Sequence, residues 1–270
     1  MNVSYLGPKG TFSEIAVAHY FSENINKHPK SSIEDVFKSV ENSEVDYGVV
    51  PIENSVEGSV NNTLDLLLDC TVLINGEIEI IINQCLLSQE TDLKSVKRIF
   101  GHPQSFAQCK KWIINNTPDA ELVPVSSNSS GALSLEKSDD ACIGSEIIAE
   151  YYSLNINKKN IQDYSNNTTR FVVIGNSTSA VTVSDKTSLL IIPPNTDDSG
   201  SLYRLLEPFA DNEINLSRIE SRPSKIQKWS YVFFIDIDGH IENEHIQNTI
   251  VVLNDMGVAI KYLGSYPKNK

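Results

Sequence analysis

From residue 2 to residue 175, short β-type runs alternate with helical patterns, and that alternation confines this part of the chain to an α/β architecture with largely parallel strands. The strand-like runs cover residues 3–6, 46–52, 77–88, 98–101, 122–126, 140–143 and 170–174. Between them, apolar residues three or four apart predict helices over 13–21, 33–42, 60–69, 105–115, 131–136 and 145–152. The apolar run 78–87 suits a strand crossing between two lobes, with 170–174 carrying the chain back. A Ser- and Thr-rich stretch, 176–186, then breaks the pattern as a linker would. Beyond it the order becomes strand (188–192), helix (202–212), two strands (216–221, 231–238), helix (245–256) and strand (259–262), a βαββαβ unit. Asp238-Gly239 and Gly257 supply its turn and helix C-cap.

A chain of 270 residues with 40% hydrophobic content is long enough for one large domain or two ordinary ones, each with a real core. The formal charge of −13 argues against nucleic acid or an anionic membrane as partner, so an anionic ligand must be held by local features. No apolar stretch is long enough to span a bilayer, residues 1–7 lack a secretory pattern, and a cytosolic location is expected. Cys70, Cys85, Cys109 and Cys142 lie in apolar segments without metal-ligand spacing and read as buried free thiols. Among the dispersed histidines, His102 is singled out by its place in a turn between strand and helix.

Several strands of the first domain run straight into hydroxyl- or Gly-rich helix starts, whose N–H groups suit anions. These are Leu6-Gly7-Pro8-Lys9-Gly10-Thr11-Phe12-Ser13-Glu14, with Thr11 and Glu14 at capping-box spacing, then Pro51-Ile52-Glu53-Asn54-Ser55-Val56-Glu57-Gly58-Ser59, Gly101-His102-Pro103-Gln104-Ser105 and Ser126-Ser127-Asn128-Ser129-Ser130-Gly131. An ordinary helix cap explains any one of them; together, at the carboxyl ends of parallel strands, they converge on a crevice. Asn167-Thr168-Thr169-Arg170-Phe171 adds an amide, hydroxyls and a guanidinium suited to bidentate carboxylate binding, or to an ordinary solvated strand edge. Glu53 and Glu57 are acid–base candidates or simple first-turn residues. Phosphate-loop, dinucleotide, nucleophile-elbow and metal-ligand patterns are absent from the sequence. The residues alone indicate a small carboxylate-bearing ligand.

Those segments resemble the prephenate dehydratases. Tyr5-Leu6-Gly7-Pro8-Lys9-Gly10-Thr11-Phe12-Ser13, Val50-Pro51-Ile52-Glu53-Asn54-Ser55, Glu57-Gly58-Ser59-Val60, His102-Pro103-Gln104 and Thr169-Arg170-Phe171 stand in the family's order. The C-terminal part resembles a phenylalanine-sensing ACT domain through Gly200-Ser201-Leu202, Ile219-Glu220-Ser221-Arg222-Pro223 and Leu263-Gly264-Ser265-Tyr266-Pro267. The resemblance spans essentially the whole chain. It departs from the family pattern at Gly101 (more often Ser), at Ser201 (more often Ala) and in Ser129-Ser130-Gly131 (more often Thr-Ala).

The resemblance implies a bilobed catalytic domain like type II periplasmic binding proteins over residues 1–176, with lobes at about 1–76 plus 166–176 and about 77–165. A linker at 177–186 and a ferredoxin-like ACT domain at 187–270 follow. It implies cofactor-free, metal-free decarboxylating dehydration of prephenate to phenylpyruvate, with Thr169, Asn54 and Ser129 catalytic. Thr11, Ser55, Arg170, Phe171 and Ser130 would bind substrate. Gly200, Ser201, Leu202, Glu220, Ser221, Arg222 and Pro223 would hold L-phenylalanine as inhibitor in a homodimer or homotetramer. The same chemistry on arogenate, or a catalytically silent carboxylate-binding protein, are the competing expectations.

Overall fold

A computed structural model describes residues 1–21, 24–90, 92–194, 199–224 and 230–268. Its first stretch comprises β1 (Asn2–Leu6), α1 (Phe12–Tyr20), β2 (Asn26–Lys30), α2 (Ile33–Glu41), β3 (Tyr47–Asn54), β4 (Gly58–Ser59), α3 (Asn61–Asp69) and β5 (Leu73–Ile81). Then come β6 (Cys85–Ser88), β7 (Arg98–Gly101), α4 (Pro103–Gln108), α5 (Lys110–Asn116), β8 (Glu121–Pro124), α6 (Asn128–Leu133), β9 (Asp140–Gly144), α7 (Glu146–Tyr152), β10 (Asn155–Lys158) and β11 (Thr168–Gly175). The remainder is β12 (Asp185–Ile192), α8 (Ser201–Asp211), β13 (Leu216–Pro223), β14 (Tyr231–Asp238), α9 (Glu244–Asp255) and β15 (Ala259–Pro267).

The described residues form three sheets. The first has the order β2-β1-β3-β11-β5, with β4 paired to β3; the second is β10-β6-β9-β7-β8; the third is β13-β14-β12-β15. The second sheet is mixed rather than largely parallel: β7 runs parallel to β8 and β9, whereas β6 is antiparallel to both β9 and β10. The apolar run expected as one crossing strand is two strands, β5 and β6. At the break, Ile82 N–H donates to Asn167 O (2.8 Å) and Gln84 N–H to the Gln162 side chain (2.9 Å). The chain thus leaves the first sheet at β5, builds the second, and returns at β11.

The helix expected over 105–115 is divided at Cys109 into α4 and α5. Asp163 causes the division: its carboxylate accepts from Lys111 N–H (3.1 Å), and its own N–H donates to Gln108 O (2.7 Å), giving α5 a separate start. Two polar edge strands, β2 and β10, carry no apolar alternation. Pro29 is tolerated in β2 because β2 lies at a sheet edge.

Two compact units are distinguished. The first contains Met1–Val36, Val49–Thr63 and Ile78–Phe171. It includes the whole second sheet, whose two faces are covered by clusters around Phe100, Cys142 and Ile148 and around Ile99, Ile113 and Ile143. The second unit contains Phe37–Gly48, Leu64–Glu77 and Val172–Lys270. Its antiparallel third sheet packs Leu189, Ile191, Ile235 and Ile237 against Leu205 and Phe209 of α8 and Ile246 and Leu253 of α9. The βαββαβ order expected there is present.

Within this second unit, Lys261 donates to the carbonyls of Leu67, Leu68 and Cys70 (3.0, 2.9 and 2.6 Å), capping the C-terminal end of α3. Lys186 pairs with buried Glu77 (2.7 Å) and Arg222 with Asp65 (2.8 Å). β15 runs past its expected end through a bulge at Leu263, and the next residue, Gly264, has φ +141° and approaches the Ile74 backbone so closely that a Cβ would lie 2.1 Å from Ile74 O. Gly264→Ala is therefore expected to destabilise the protein by about 3 kcal/mol. A urea melt in which this variant matches the parent would contradict the close approach.

Candidate active site

A cavity of about 520 Å³ lies in the first compact unit. The polar helix starts singled out in the sequence supply much of its wall. Gly10 and Thr11 come from the β1–α1 loop, Asn54 and Glu57 from the turn after β3, His102 and Gln104 from the start of α4, and Asn128 and Ser129 from the start of α6. Thr169 and Phe171 enter from β11. Alternation along that strand sends these two to one face and Arg170 to the other.

Asn54 organises the strand mouth. Its Oδ1 accepts from the N–H groups of Val56 and Glu57, each at 3.0 Å, closing the turn after β3. Its Nδ2 donates to Asn167 Oδ1 (2.7 Å) and Thr169 Oγ1 (2.9 Å). With its oxygen accepting from Asn54, the Thr169 hydroxyl can still offer its own proton to a ligand. Thr169 is 8% exposed, so that donor works in a largely dry setting.

Other hydroxyls are committed to the protein. Thr11 donates to Leu6 O (3.0 Å) and Ser129 to Lys9 O (2.6 Å). The capping box expected between Thr11 and Glu14 is not formed: Glu14 accepts from Gly10 N–H (2.7 Å), one residue before the N-cap. Ser130 instead closes a capping box with Ser127 and does not line the cavity. Ser55 lies outside the lining as well, bracing Asn166 O and Thr168 N–H (3.1 and 3.0 Å). Arg170 does not reach the cavity and pairs with Glu53 (3.1 Å). Among the described residues the lining holds no lysine or arginine.

His102 caps α4, its Nδ1 accepting from Gln104 N–H (3.3 Å), which makes Nε2 the protonated nitrogen of the neutral ring. Glu57 accepts from the side chains of Gln104 and Gln108, the latter at 2.9 Å. All four cysteines are buried and free, and none lines the cavity. Burial pushes the thiols of Cys109 and Cys142 up to about 12, which removes them as nucleophiles. In the second unit, Gly200 sits at the N-cap of α8 with φ +76°, followed by Ser201 and exposed Leu202. Glu220, Ser221, Arg222 and Pro223 lie on the edge strand β13.

Residues 3–179 match the family model for prephenate dehydratase, and residues 195–254 match that for the ACT domain. The chain belongs to the prephenate dehydratase family. It is 43% identical to the bifunctional chorismate mutase/prephenate dehydratase of Aquifex aeolicus over 99% of its length and 74% of that protein. It is 35% identical to the prephenate dehydratase of Bacillus subtilis, covering 98% of each. Among solved structures, the prephenate dehydratase of Arthrobacter aurescens in complex with L-Phe superposes with a TM-score of 0.88 at 33% identity, covering 99% of this chain and 90% of that one.

Several lining residues escaped the sequence reading. Gln108 stands one helical turn after Gln104, a spacing that places both on one face of α4 and was available as a signal. Ser145 is a further such lining group, while Ser105, from the helix start already singled out, lines the cavity and accepts from Asn128 Nδ2 (2.9 Å). Gln84 lines the cavity from the break between β5 and β6, where no local pattern marks it. The Asn54 arrangement yields its own test. Asn54→Asp keeps the acceptor for the turn but sets a carboxylate oxygen against Asn167 Oδ1. It should lower stability by about 2 kcal/mol in thermal or denaturant melts, and an unchanged midpoint would refute the hub.

Proposed function

We infer that the chain converts prephenate to phenylpyruvate, water and carbon dioxide, under feedback control by L-phenylalanine at its ACT domain. The observation that carries this reading is the buried Asn54–Thr169 pair, which holds a hydroxyl at a cavity whose described lining has no lysine or arginine. In the reaction the bond between ring and carboxylate breaks, and its electron pair enters the ring as the carbon–oxygen bond on the opposite side breaks. The departing oxygen takes up one proton to become water, and aromatisation drives the process. Thr169 Oγ is assigned as donor to that oxygen, stabilising the charge that develops there. Phe171, 2% exposed, packs the ring. The N-terminal turn of α1, with Thr11, Phe12 and Ser13 in the lining, supplies backbone donors for a carboxylate.

The regulatory reading draws on α8 and β13. The left-handed Gly200 opens an eleven-residue helix whose N-terminus suits the effector carboxylate, and the edge position of β13 suits an effector held between copies of the chain in a homodimer or homotetramer. Arg222 reaches Asp65 on α3, a helix that begins directly after the cavity-lining Val60, so an effector that recruits Arg222 would alter α3. We assign the catalytic domain to 1–176, the linker to 177–186 and the ACT domain to 187–270. A cytoplasmic setting accompanies this biosynthetic role.

Ultraviolet detection of phenylpyruvate from prephenate tests the reaction; product formation no faster than the spontaneous rate would reject it, and a higher kcat/KM for arogenate would replace the substrate. Thr169→Ala should lower kcat about 100-fold or more in a folded protein, and near-normal turnover would remove the residue from the mechanism. Arg222→Ala should weaken phenylalanine inhibition, and an unchanged inhibition curve would relocate the effector site.

A further inference from the structure

Glu14 is almost wholly buried, with a side chain 3% exposed, yet it does not line the cavity and nothing in the dehydration step uses it. It belongs to the first turn of α1, on the first sheet's side of the cleft. One oxygen accepts the Gly10 N–H (2.7 Å). The other accepts from Lys27 Nζ on β2 (3.4 Å) and from the Tyr151 hydroxyl on α7 (2.8 Å), a helix that flanks the second sheet. The same loop is gripped twice more from that side, as Ser129 Oγ donates to Lys9 O and Ser145 Oγ to Gly10 O (2.6 and 2.9 Å). Gly10 has φ +86°, and a Cβ there would meet Ile148 at 2.9 Å and Ser129 Oγ at 3.0 Å, so the loop lies flush against α6 and α7.

A carboxylate removed from water is costly unless its oxygens are satisfied by charged or strong donors, and here those donors come from both sides of the cleft. Burial and the Glu14 carboxylate push the neighbouring Tyr5 phenol up, and burial together with the Glu14 hydrogen bond pushes Tyr151 up to about 12. Tyr151 therefore stays a protonated donor throughout the physiological range. The contact joins α7 to the one loop whose Gly10 and Thr11 face the cavity.

We propose that Glu14 and Tyr151 form a positioning clasp that fixes the Gly10–Thr11 wall of the cavity against α7 and so holds the cleft closed on the carboxylate-bearing substrate. The proposal rests on the dehydratase reading for its substrate, though the clasp can be detected without one. Because the clasp acts on binding geometry and donates no proton to the reacting atoms, its loss appears in KM before kcat. Tyr151→Phe keeps the ring and removes only the hydroxyl. It should raise KM for prephenate about tenfold with kcat changed less than about threefold and the melting temperature nearly unchanged. Glu14→Gln, which retains an acceptor for Gly10 N–H, should raise KM in the same direction, and the double variant should cost less than the sum of the two because both remove one hydrogen bond. Amide exchange in the segment containing Gly10 should quicken in Tyr151→Phe whether or not prephenate is the substrate. Parental KM in Tyr151→Phe, or parental exchange at Gly10, would overturn the clasp. An inactive parent would instead refute the dehydratase reading and leave the exchange measurement to decide the clasp.

Discussion

The carboxamide of Asn54 is the interaction on which the site depends. One oxygen closes the turn that carries Glu57, and one nitrogen aligns Asn167 and Thr169 at the mouth of β11. Neither a carboxylate nor a hydroxyl can do both, since the site demands an acceptor and a double donor on a single planar group. With Asn54 only 8% exposed, each of these bonds is made away from bulk water, where leaving a partner unmet is costly. The turn, the strand mouth and the orientation of one hydroxyl are thereby set together.

Much of the fold was legible because buried strands and amphipathic helices carry their periodicity in sequence. β7 and β14 coincide with the expected runs, and α1, α2, α3, α7, α8 and α9 lie within a residue or two of theirs. What was illegible is what tertiary contact decides. β2 reads Asn-Lys-His-Pro-Lys and β10 Asn-Ile-Asn-Lys, sequences without alternation that become strands because β1 and β6 offer them open edges. The α4–α5 break depends on Asp163, far along the chain from the helix it interrupts. β15 continues past its expected end through a bulge at Leu263, beside the glycine that lies against the Ile74 backbone, a contact distant in sequence that no local pattern marks.

The site divides in the same way. Thr11, Asn54, Ser129, Thr169 and Phe171 all line the cavity, since each follows a strand end or a helix start whose direction the pattern already determined. Ser55, Ser130 and Arg170 stand beside them in sequence but turn elsewhere, to Asn166 and Thr168, to Ser127 and to Glu53. Adjacency along a strand or a capping turn alternates faces, so a motif of consecutive residues overstates how many can meet one ligand.

The place of Arg170 bears on the chemistry. A guanidinium against the ring carboxylate would stabilise the ionised ground state as strongly as any later state and would oppose the loss of that charge as carbon dioxide. On the proposed function, a lining of amides, hydroxyls, backbone N–H groups, one imidazole and the Glu57 carboxylate, itself tied to Gln104 and Gln108, would orient the substrate with less of that penalty, while apolar walls such as Ile82, Ile148 and Phe171 would favour the spread of charge into the ring. The same distribution suits a chain of formal charge −13, in which neither bulk electrostatics nor a lysine or arginine of the described lining would draw in the anion. On the proposed function, specificity for a dianion would come from how the placed donors converge, and that would give the rigidity of the Asn54 turn and of the Gly10 loop a part in holding the substrate rather than a background role.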